Sequence, residues 1–364
     1  MRKNYLDNIR NFTVFLVVIY HIIFMYNGIC SEVVIGAFAD FQWQDSIQYL
    51  LYPWFMVILF MVAGISSRLY LENHNPKEFA KARTKKLLLP STVGLFVFWW
   101  IQGFVNMKIS GAYENFPPDF SKAALFIITA VSGTGVLWFT QMLWLFSMIL
   151  LLVKKIDKND KLYNFCSKSN VPVVVLLGIP AFFSCQILNT PVVSVYRFGI
   201  YGFAFFCGYF VFSHEEVIKK ISKFSFIFAI CSVIFGIIHL KINFGKSYVE
   251  GQALKGIIPC SYMWFTCLSI FGIFSRFFDK TNDFLTFVNK KSYGLYLFHY
   301  LCLSSVALFL KRFPNLPHIL NYLFIGIAAF VLSYLLDLVI PKIPFLSWLI
   351  CGKHDKIKKC SAKI

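Results

Sequence analysis

The apolar residues of this chain form ten runs separated by short polar or basic connections. A run of about twenty apolar residues crosses a bilayer as an α-helix. The stretch 121–132 is apolar but shorter, which predicts a re-entrant or interfacial helix before the fourth span. The pattern therefore predicts an all-α, polytopic integral membrane protein. The predicted spans are 11–30, 48–71, 88–107, 136–153, 171–188, 197–213, 224–240, 255–275, 292–310 and 319–340.

Composition agrees with this prediction and excludes a soluble fold. The 364-residue chain is 58% hydrophobic and 14% charged, and its mean hydropathy is +0.66. The ten cysteines are scattered singly and form no CxxC pair, so they predict neither a disulfide framework nor a metal site. We expect one membrane domain over 1–350 and a basic cytoplasmic tail over 351–364.

The formal net charge of +18 is explained by membrane orientation and does not indicate a nucleic-acid partner. Basic residues concentrate at the N-terminus and in the even-to-odd connections, whereas the connection 31–47 has three acidic residues and no Lys or Arg. Because Lys and Arg collect in cytoplasmic loops, both termini are predicted to be cytoplasmic. Only the outward-facing pair Lys311 and Arg312 disagrees with the pattern. The basic tail is expected to contact anionic membrane lipid.

Ionisable residues inside the predicted spans are the main candidates for function, because each is costly in a membrane and is usually functional or paired. They are His21, Arg68, Arg197, His239, His299 and Asp337. Three of them, Arg197, His239 and Asp337, lie near span ends, where snorkelling to the interface is expected. The remaining three are candidates for a site.

The first span places an imidazole and a guanidinium on one face. Arg10 and His21 are eleven residues apart, which separates them by roughly 16 Å along nearly the same side of a helix. Asp7 lies one turn before Arg10 and can contact and orient it. With the span at 11–30, His21 is expected near mid-bilayer. His299 enters from the ninth span and lies within the membrane as well.

These residue types point to acyl transfer. A neutral imidazole can act as a general base toward a hydroxyl or can accept an acyl group itself, with His21 in this role and His299 assisting. A basic cytoplasmic entrance suits a phosphate-bearing donor, and acyl-CoA, with an anionic head and a thioester on a long arm, matches both features. It would be a co-substrate, and no permanently bound cofactor is expected. The expected phosphate ligands are Arg10, Arg68, Arg83, Lys85 and Lys86.

Trp138 and Phe139 begin the fourth span. They are expected either to line the acyl path or to anchor the span at the membrane interface, where aromatic residues are enriched.

Four motifs in this order resemble those of the acyltransferase family 3 membrane proteins, especially the branch of the glucan biosynthesis protein that succinylates periplasmic glucans. The motifs are "LDNIRNFTVFLVVIYH", "FMVAGISSRLYLE" followed by "FAKARTKKLLLP", "GVLWFTQMLWLF" and "KKSYGLYLFHYL". The closing "KIPFLSWLICGK" also resembles the end of that branch. One departure is Ala63, which stands before Gly64 where the family usually has Ser.

The resemblance implies a ten-helix enzyme of the bacterial inner membrane that takes acyl groups from cytoplasmic acyl-CoA and delivers them to a sugar hydroxyl on the far side. It also implies that His21 and Arg10 are required for activity. A separate extracytoplasmic transfer enzyme is a further expected partner, unless none is needed.

Two other functions are compatible with the same sequence. A transporter or exporter of a small polar solute could use the histidines as a proton relay, and a non-catalytic membrane scaffold would leave His21 and Arg10 replaceable. The choice between acetyl and succinyl, and the choice among glycan, lipid-linked sugar and other hydroxyl acceptors, stay open at this point.

Overall fold

A computed structural model describes residues 3–29, 33–188, 196–247 and 254–352, and these are helical or connect helices, with no strand among them. The α-helices, in chain order, are α1 (Asn4–Phe24), α2 (Ser46–Leu51), α3 (Phe55–Leu71), α4 (Pro76–Arg83), α5 (Leu89–Ser91), α6 (Trp100–Ile109), α7 (Lys122–Ser132), α8 (Trp138–Ile156), α9 (Lys161–Cys166), α10 (Val171–Leu176), α11 (Gly178–Gln186), α12 (Phe198–Cys207), α13 (Glu215–Lys223), α14 (Ser225–Asn243), α15 (Ile257–Phe277), α16 (Asp283–Leu310), α17 (His318–Ile327), α18 (Ser333–Val339) and α19 (Pro344–Cys351).

Four π-helical turns continue these helices, at Thr84–Leu88, Leu95–Trp99, Gly208–Phe212 and Ala328–Leu332. Short 3₁₀ turns lie at Trp43–Asp45, Ala112–Asn115, Gly135–Leu137 and Ile340–Lys342. Single π-turns inside helices occur frequently at functional sites.

The prediction of an all-α membrane protein is confirmed. Within the described residues, eight helical segments are long and apolar enough to cross a membrane: Asn4–Phe24, Trp43–Leu71, Pro76–Ile109, Gly135–Ile156, Ser225–Asn243, Ile257–Phe277, Asp283–Leu310 and His318–Lys342. The predicted spans 171–188 and 197–213 correspond to the shorter apolar helices Val171–Gln186 and Phe198–Phe212, and 121–132 corresponds to Lys122–Ser132. The count of ten spans and the cytoplasmic location of both termini stay predictions, and residues 353–364 of the predicted tail lie outside the described residues.

The chain divides into two compact units. Unit 1 comprises Met1–Ser31, Gly36–Phe79 and Leu145–Lys290, and unit 2 comprises Glu32–Ile35, Ala80–Trp144 and Lys291–Ile364. His21 therefore belongs to unit 1 and His299 to unit 2.

In unit 1, α3 contacts α12 and the π-helical turn that continues it at two glycines. A Cβ atom on Gly64 would overlap the carbonyl oxygen of Phe205, and one on Gly208 would overlap that of Met61. Only glycine permits this close approach, as in other small-residue contacts between membrane helices. The glycine of the second sequence motif is therefore a packing residue.

Unit 2 is organised around α16. The ring of Phe298 stacks on Trp99 with centroids 5.7 Å apart, and both side chains belong to one buried apolar cluster that also includes residues of α19. This cluster fixes the segment of α16 that carries His299.

The expectation that Arg197, His239 and Asp337 snorkel to the interface is wrong. They are only 4%, 0% and 8% exposed, respectively. Asp337 pairs with Lys291 of unit 2 at 2.8 Å, and the ring Nδ1 of His239 accepts a hydrogen bond from the Asn243 amide at 3.0 Å. Burial by neighbouring helices, and not the distance to a span end, determines where these side chains lie.

Candidate functional site

The Asp7–Arg10 contact predicted on the first helix is present. An Arg10 Nη2 atom donates to Asp7 Oδ1 at 2.7 Å, and the Arg10 side chain is 41% exposed. Asn289 Oδ1 accepts from the same guanidinium at 3.4 Å and from Asn11 at 2.7 Å. The cation is thus oriented from two sides while much of it stays open to a ligand.

His21 lies in the last turn of α1, about 26 Å from Asn4 along the helix axis, and its location near mid-bilayer stays a prediction. Its Nδ1 atom is 2.8 Å from the carbonyl oxygen of Val17. Because a carbonyl oxygen only accepts, Nδ1 carries the proton in this bond, and Nε2 is the basic nitrogen of the neutral ring. The half-buried ring also meets Tyr20 edge to face at 5.1 Å. His21 is therefore held in the tautomer that a general base or nucleophile at Nε2 requires.

Arg68 is paired with carboxylates. It donates to Glu72 at 3.1 Å and to Asp160 at 3.0 Å, and its side chain is 12% exposed. Its guanidinium lies 3.6 Å from the ring centroid of Tyr163, on which His214 also stacks, at 3.9 Å. Burial and the nearby Arg68 charge lower the pKa of His214, which lies outside the spanning segments. Arg68 thus joins α3 to the segment around α9, and its role in phosphate binding stays a prediction.

The basic residues predicted after the second span lie in unit 2 on α4 and the π-turn that follows it. Arg83 and Lys85 are half-buried and Lys86 is exposed. Tyr293 donates its hydroxyl to the Lys86 carbonyl at 3.2 Å, and the Lys86 ammonium lies 5.2 Å from the Tyr293 ring centroid. The tyrosine therefore holds this basic segment against α16 within unit 2.

His299 is fully buried in the middle of α16. Its Nδ1 atom lies 2.7 Å from the Tyr296 carbonyl oxygen and 3.1 Å from that of Leu295. By the argument used for His21, Nδ1 carries the proton and Nε2 is the basic nitrogen. Both candidate histidines are thus fixed by bonds to their own helices.

Trp138 is half-buried at the start of α8 and meets the ring of Phe139 edge to face at 6.3 Å. Phe139 in turn contacts the ring of Tyr296 at 5.7 Å, and the Tyr296 hydroxyl donates to the Val136 carbonyl. This aromatic contact joins the start of α8 to the helix turn that carries His299. Whether Trp138 lines an acyl path stays a prediction.

A family model for an acyltransferase domain matches residues 3–338. The chain belongs to the acyltransferase 3 family. No curated protein and no solved structure matches it. The match covers nearly the whole chain, so the resemblance to the family is confirmed, whereas the glucan-succinylating branch stays a prediction. This acyltransferase is a multi-pass membrane protein, since its helices include eight of spanning length within the described residues.

Sequence reasoning missed several partners that shape the site of this acyltransferase. Asp160 and Tyr163 contact Arg68, and Asn289 contacts Arg10. Each is distant in sequence from the side chain it contacts, and no spacing rule identifies it. Asn11 had a usable signal, since it is a polar residue beside Arg10 inside an apolar run. Among the described residues, no group of three or more His, Cys, Asp or Glu side chains could hold a metal ion.

Proposed function

We propose that this protein is an O-acyltransferase of the bacterial inner membrane that moves an acetyl or succinyl group from cytoplasmic acyl-CoA to a hydroxyl of a cell-surface or periplasmic glycan. Membership of the acyltransferase 3 family supports the reaction class. The observation that carries the mechanism is the His21 ring, whose Nδ1 donates to its own helix and whose Nε2 is therefore basic.

In the proposed reaction, Nε2 of His21 takes the proton from the acceptor hydroxyl as its oxygen attacks the thioester carbonyl. The carbon–sulfur bond breaks, an ester forms, and the CoA thiolate leaves and is protonated from the imidazolium. If the ring instead carries the acyl group transiently, Nε2 itself attacks the thioester, the carbon–sulfur bond breaks and the CoA thiolate leaves. The hydroxyl then attacks the acyl-imidazolium, the carbon–nitrogen bond breaks as the ester forms, and the hydroxyl proton passes to the thiolate. The same nitrogen acts in both routes.

Arg10 is the proposed phosphate ligand of unit 1, because it is substantially exposed and Asp7 and Asn289 fix its direction. A donor bound there reaches His21 with an arm that spans about 16 Å along one face of α1. In unit 2, phosphate contacts by Arg83, Lys85 and Lys86 are proposed, with Trp138 along the acyl path and His299 as a proton-transfer group. The two carboxylates on Arg68 favour a structural role for that residue.

The test is replacement of His21 by Ala in purified protein in lipid nanodiscs, measured as transfer of label from acyl-CoA to glycan acceptors. A general base contributes about 10²- to 10⁴-fold to rate, so transfer should fall at least a hundredfold at unchanged protein level. His74→Ala is the matched control, because His74 makes the same Nδ1 bond to the fourth preceding carbonyl, at 3.1 Å, but is exposed.

Retained acyl transfer in His21→Ala would remove this mechanism. Solute flux without acyl-CoA in wild-type vesicles, together with no labelled product, would favour an exporter instead. Mass spectrometry of surface glycans from cells with and without the gene identifies the acyl group and the acceptor.

A further inference from the structure

Arg197 is a buried cation at the start of α12 in unit 1. The residue is 4% exposed and directly precedes the helix as its N-cap. Its Nη2 atom lies 3.8 Å from Cys185 Sγ, and its Cζ atom lies 5.7 Å from the ring centroid of Tyr201. Its Nη1 atom is buried without a hydrogen-bond partner, and no carboxylate of the described residues forms an ion pair with it.

Among the residues that the structure describes, no negative charge compensates the positive charge of Arg197. A buried charge without a partner costs several kcal/mol, and neither a thiol nor an aromatic ring supplies a full negative charge. The N-terminus of α12, which continues through Phe212, adds the partial positive charge of a helix end. Two independent features therefore favour an oxyanion at this position.

A series of aromatic contacts within unit 1 connects Arg197 to His21. The ring of Tyr201, beside the guanidinium, stacks on Phe60 of α3 at 4.8 Å, and Phe55 of the same helix contacts the ring of Tyr20 at 5.1 Å. Tyr20 meets the His21 ring at 5.1 Å. Aromatic side chains of α3 and the ring of Tyr20 thus connect this cation to the proposed base within unit 1.

We propose that Arg197 binds an anionic group of the substrate, a carboxylate or a phosphate, near His21. This inference rests on the proposed acyl transfer, and it adds to that reaction a residue that selects the substrate by its charge. The anion is either the terminal carboxylate of a dicarboxylic acyl group on the donor or an anionic substituent of the acceptor. The positive charge of Arg197 would position the reacting group, and the bound anion would offset the cost of burying that charge.

The first experiment measures binding without catalysis. Thermal unfolding is followed in nanodiscs of neutral phosphatidylcholine with succinate or inorganic phosphate as the probe. Wild type should be stabilised by at least one of these anions, and Arg197→Gln should lose about tenfold or more in apparent affinity, since a charge-assisted hydrogen bond of roughly 1.5 kcal/mol or more is removed. Arg197→Lys, which keeps the charge, should retain part of the response, and Arg276→Gln, at an exposed arginine of the same unit, should behave as wild type.

The second experiment identifies the source of the anion by comparing succinyl-CoA with acetyl-CoA as donor. If the donor carries the anion, Arg197→Gln loses transfer from succinyl-CoA about tenfold or more and keeps transfer from acetyl-CoA. If the acceptor carries it, both donors lose transfer equally, while hydrolysis of either donor without acceptor is unchanged.

An anion response that is absent from wild type, or equal in wild type and Arg197→Gln, overturns the proposal. Cys185→Ser tests the thiol as an alternative counter-ion, because a thiolate paired with Arg197 would block the anion in wild type and admit it only in that variant. Failure of the proposed function appears separately, as wild-type protein that binds the anion but transfers no acyl group from either donor.

Discussion

Arg68 allows the sharpest test of whether a cation of the predicted entrance binds the donor or holds the protein together. In the structure its guanidinium donates to Asp160 and to Glu72, which are 33% and 42% exposed, and it covers the Tyr163 ring. The perturbation is Arg68→Gln, alone and combined with Asp160→Asn.

The expected cost follows from these contacts. Exposed ion pairs contribute about 0–1 kcal/mol, and the pair of Arg68 with Glu72 belongs to this class. A hydrogen bond between charged groups contributes about 1.5 kcal/mol or more when it is shielded from solvent, and the partly exposed bond to Asp160 contributes part of that energy. The contact with the Tyr163 ring adds about 0.5–1 kcal/mol. We therefore expect Arg68→Gln to lower the free energy of unfolding by about 2–3 kcal/mol. Because Asp160→Asn removes one of the same contacts, the double variant should cost about 1 kcal/mol less than the sum of the single variants.

The assay is reversible unfolding in mixed micelles for the wild type, both single variants and the double variant, alongside the KM for acyl-CoA. The pair Lys219–Glu216 serves as the control, since its side chains are 67% and 71% exposed at 3.0 Å and should show no measurable coupling. A coupling near zero between Arg68 and Asp160, with a KM that rises in Arg68→Gln, would refute the structural role and support phosphate binding.

Two further predictions concern charges outside the proposed reaction. Asp337→Asn should lower the free energy of unfolding by about 3 kcal/mol, because it leaves the Lys291 ammonium without its buried partner, and replacing both residues with apolar ones should restore most of the loss in the same unfolding assay. His214 has a lowered pKa in the folded protein, so the unfolded chain binds more protons below about pH 6.5. The free energy of unfolding should therefore fall as the pH drops through that value. In thermal unfolding measured from pH 5 to 8, His214→Gln should make this pH dependence weaker. An unchanged pH dependence in the variant would show that His214 is not the responsible group.

The long helices could be predicted because their signal is local. A run of about twenty apolar residues satisfies its own backbone hydrogen bonds in a bilayer when it forms an α-helix. Each predicted span is accordingly helical among the described residues. What run length cannot show is where a helix is interrupted. Val171–Gln186 contains two helices joined at Leu177, and the π-turns have no marker in apolar periodicity.

The start of α1 shows how tertiary contacts move a helix boundary. Apolar counting begins the span at residue 11, but the helix begins at Asn4. Asp279 accepts a hydrogen bond from the Tyr5 backbone amide at 2.9 Å, and the Asn8 amide donates to the carbonyls of Phe278 and Lys280. These distant partners stabilise the polar first turns, so the helix starts before the apolar run. It ends at Phe24, and His21 therefore lies in its last turn.

The contacts of the site residues likewise divide into local contacts, which the sequence predicts, and tertiary contacts, which it does not. Asp7 and Arg10 could be paired from sequence because a three-residue spacing in a helix brings side chains together, whereas Asp160 is 92 residues from the Arg68 that it contacts. A local rule identifies the first contact, and only the tertiary structure reveals the second.

Buried ionisable residues near span ends show why position alone does not reveal their role. Asp337, His239 and Arg197 look equivalent in sequence, and all three are buried. Asp337 has a cation as its partner. His239 has an amide donor at Nδ1, and although its Nε2 is buried without a hydrogen-bond partner, as Nη1 of Arg197 is, a neutral imidazole carries no charge that needs to be offset. Arg197 has a thiol sulfur and an aromatic ring, neither of which cancels its charge. The described residues therefore do not offset the cost of burying the positive charge of Arg197, and a negatively charged ligand can offset it during function. For this reason Arg197, and not its two sequence equivalents, indicates a binding site.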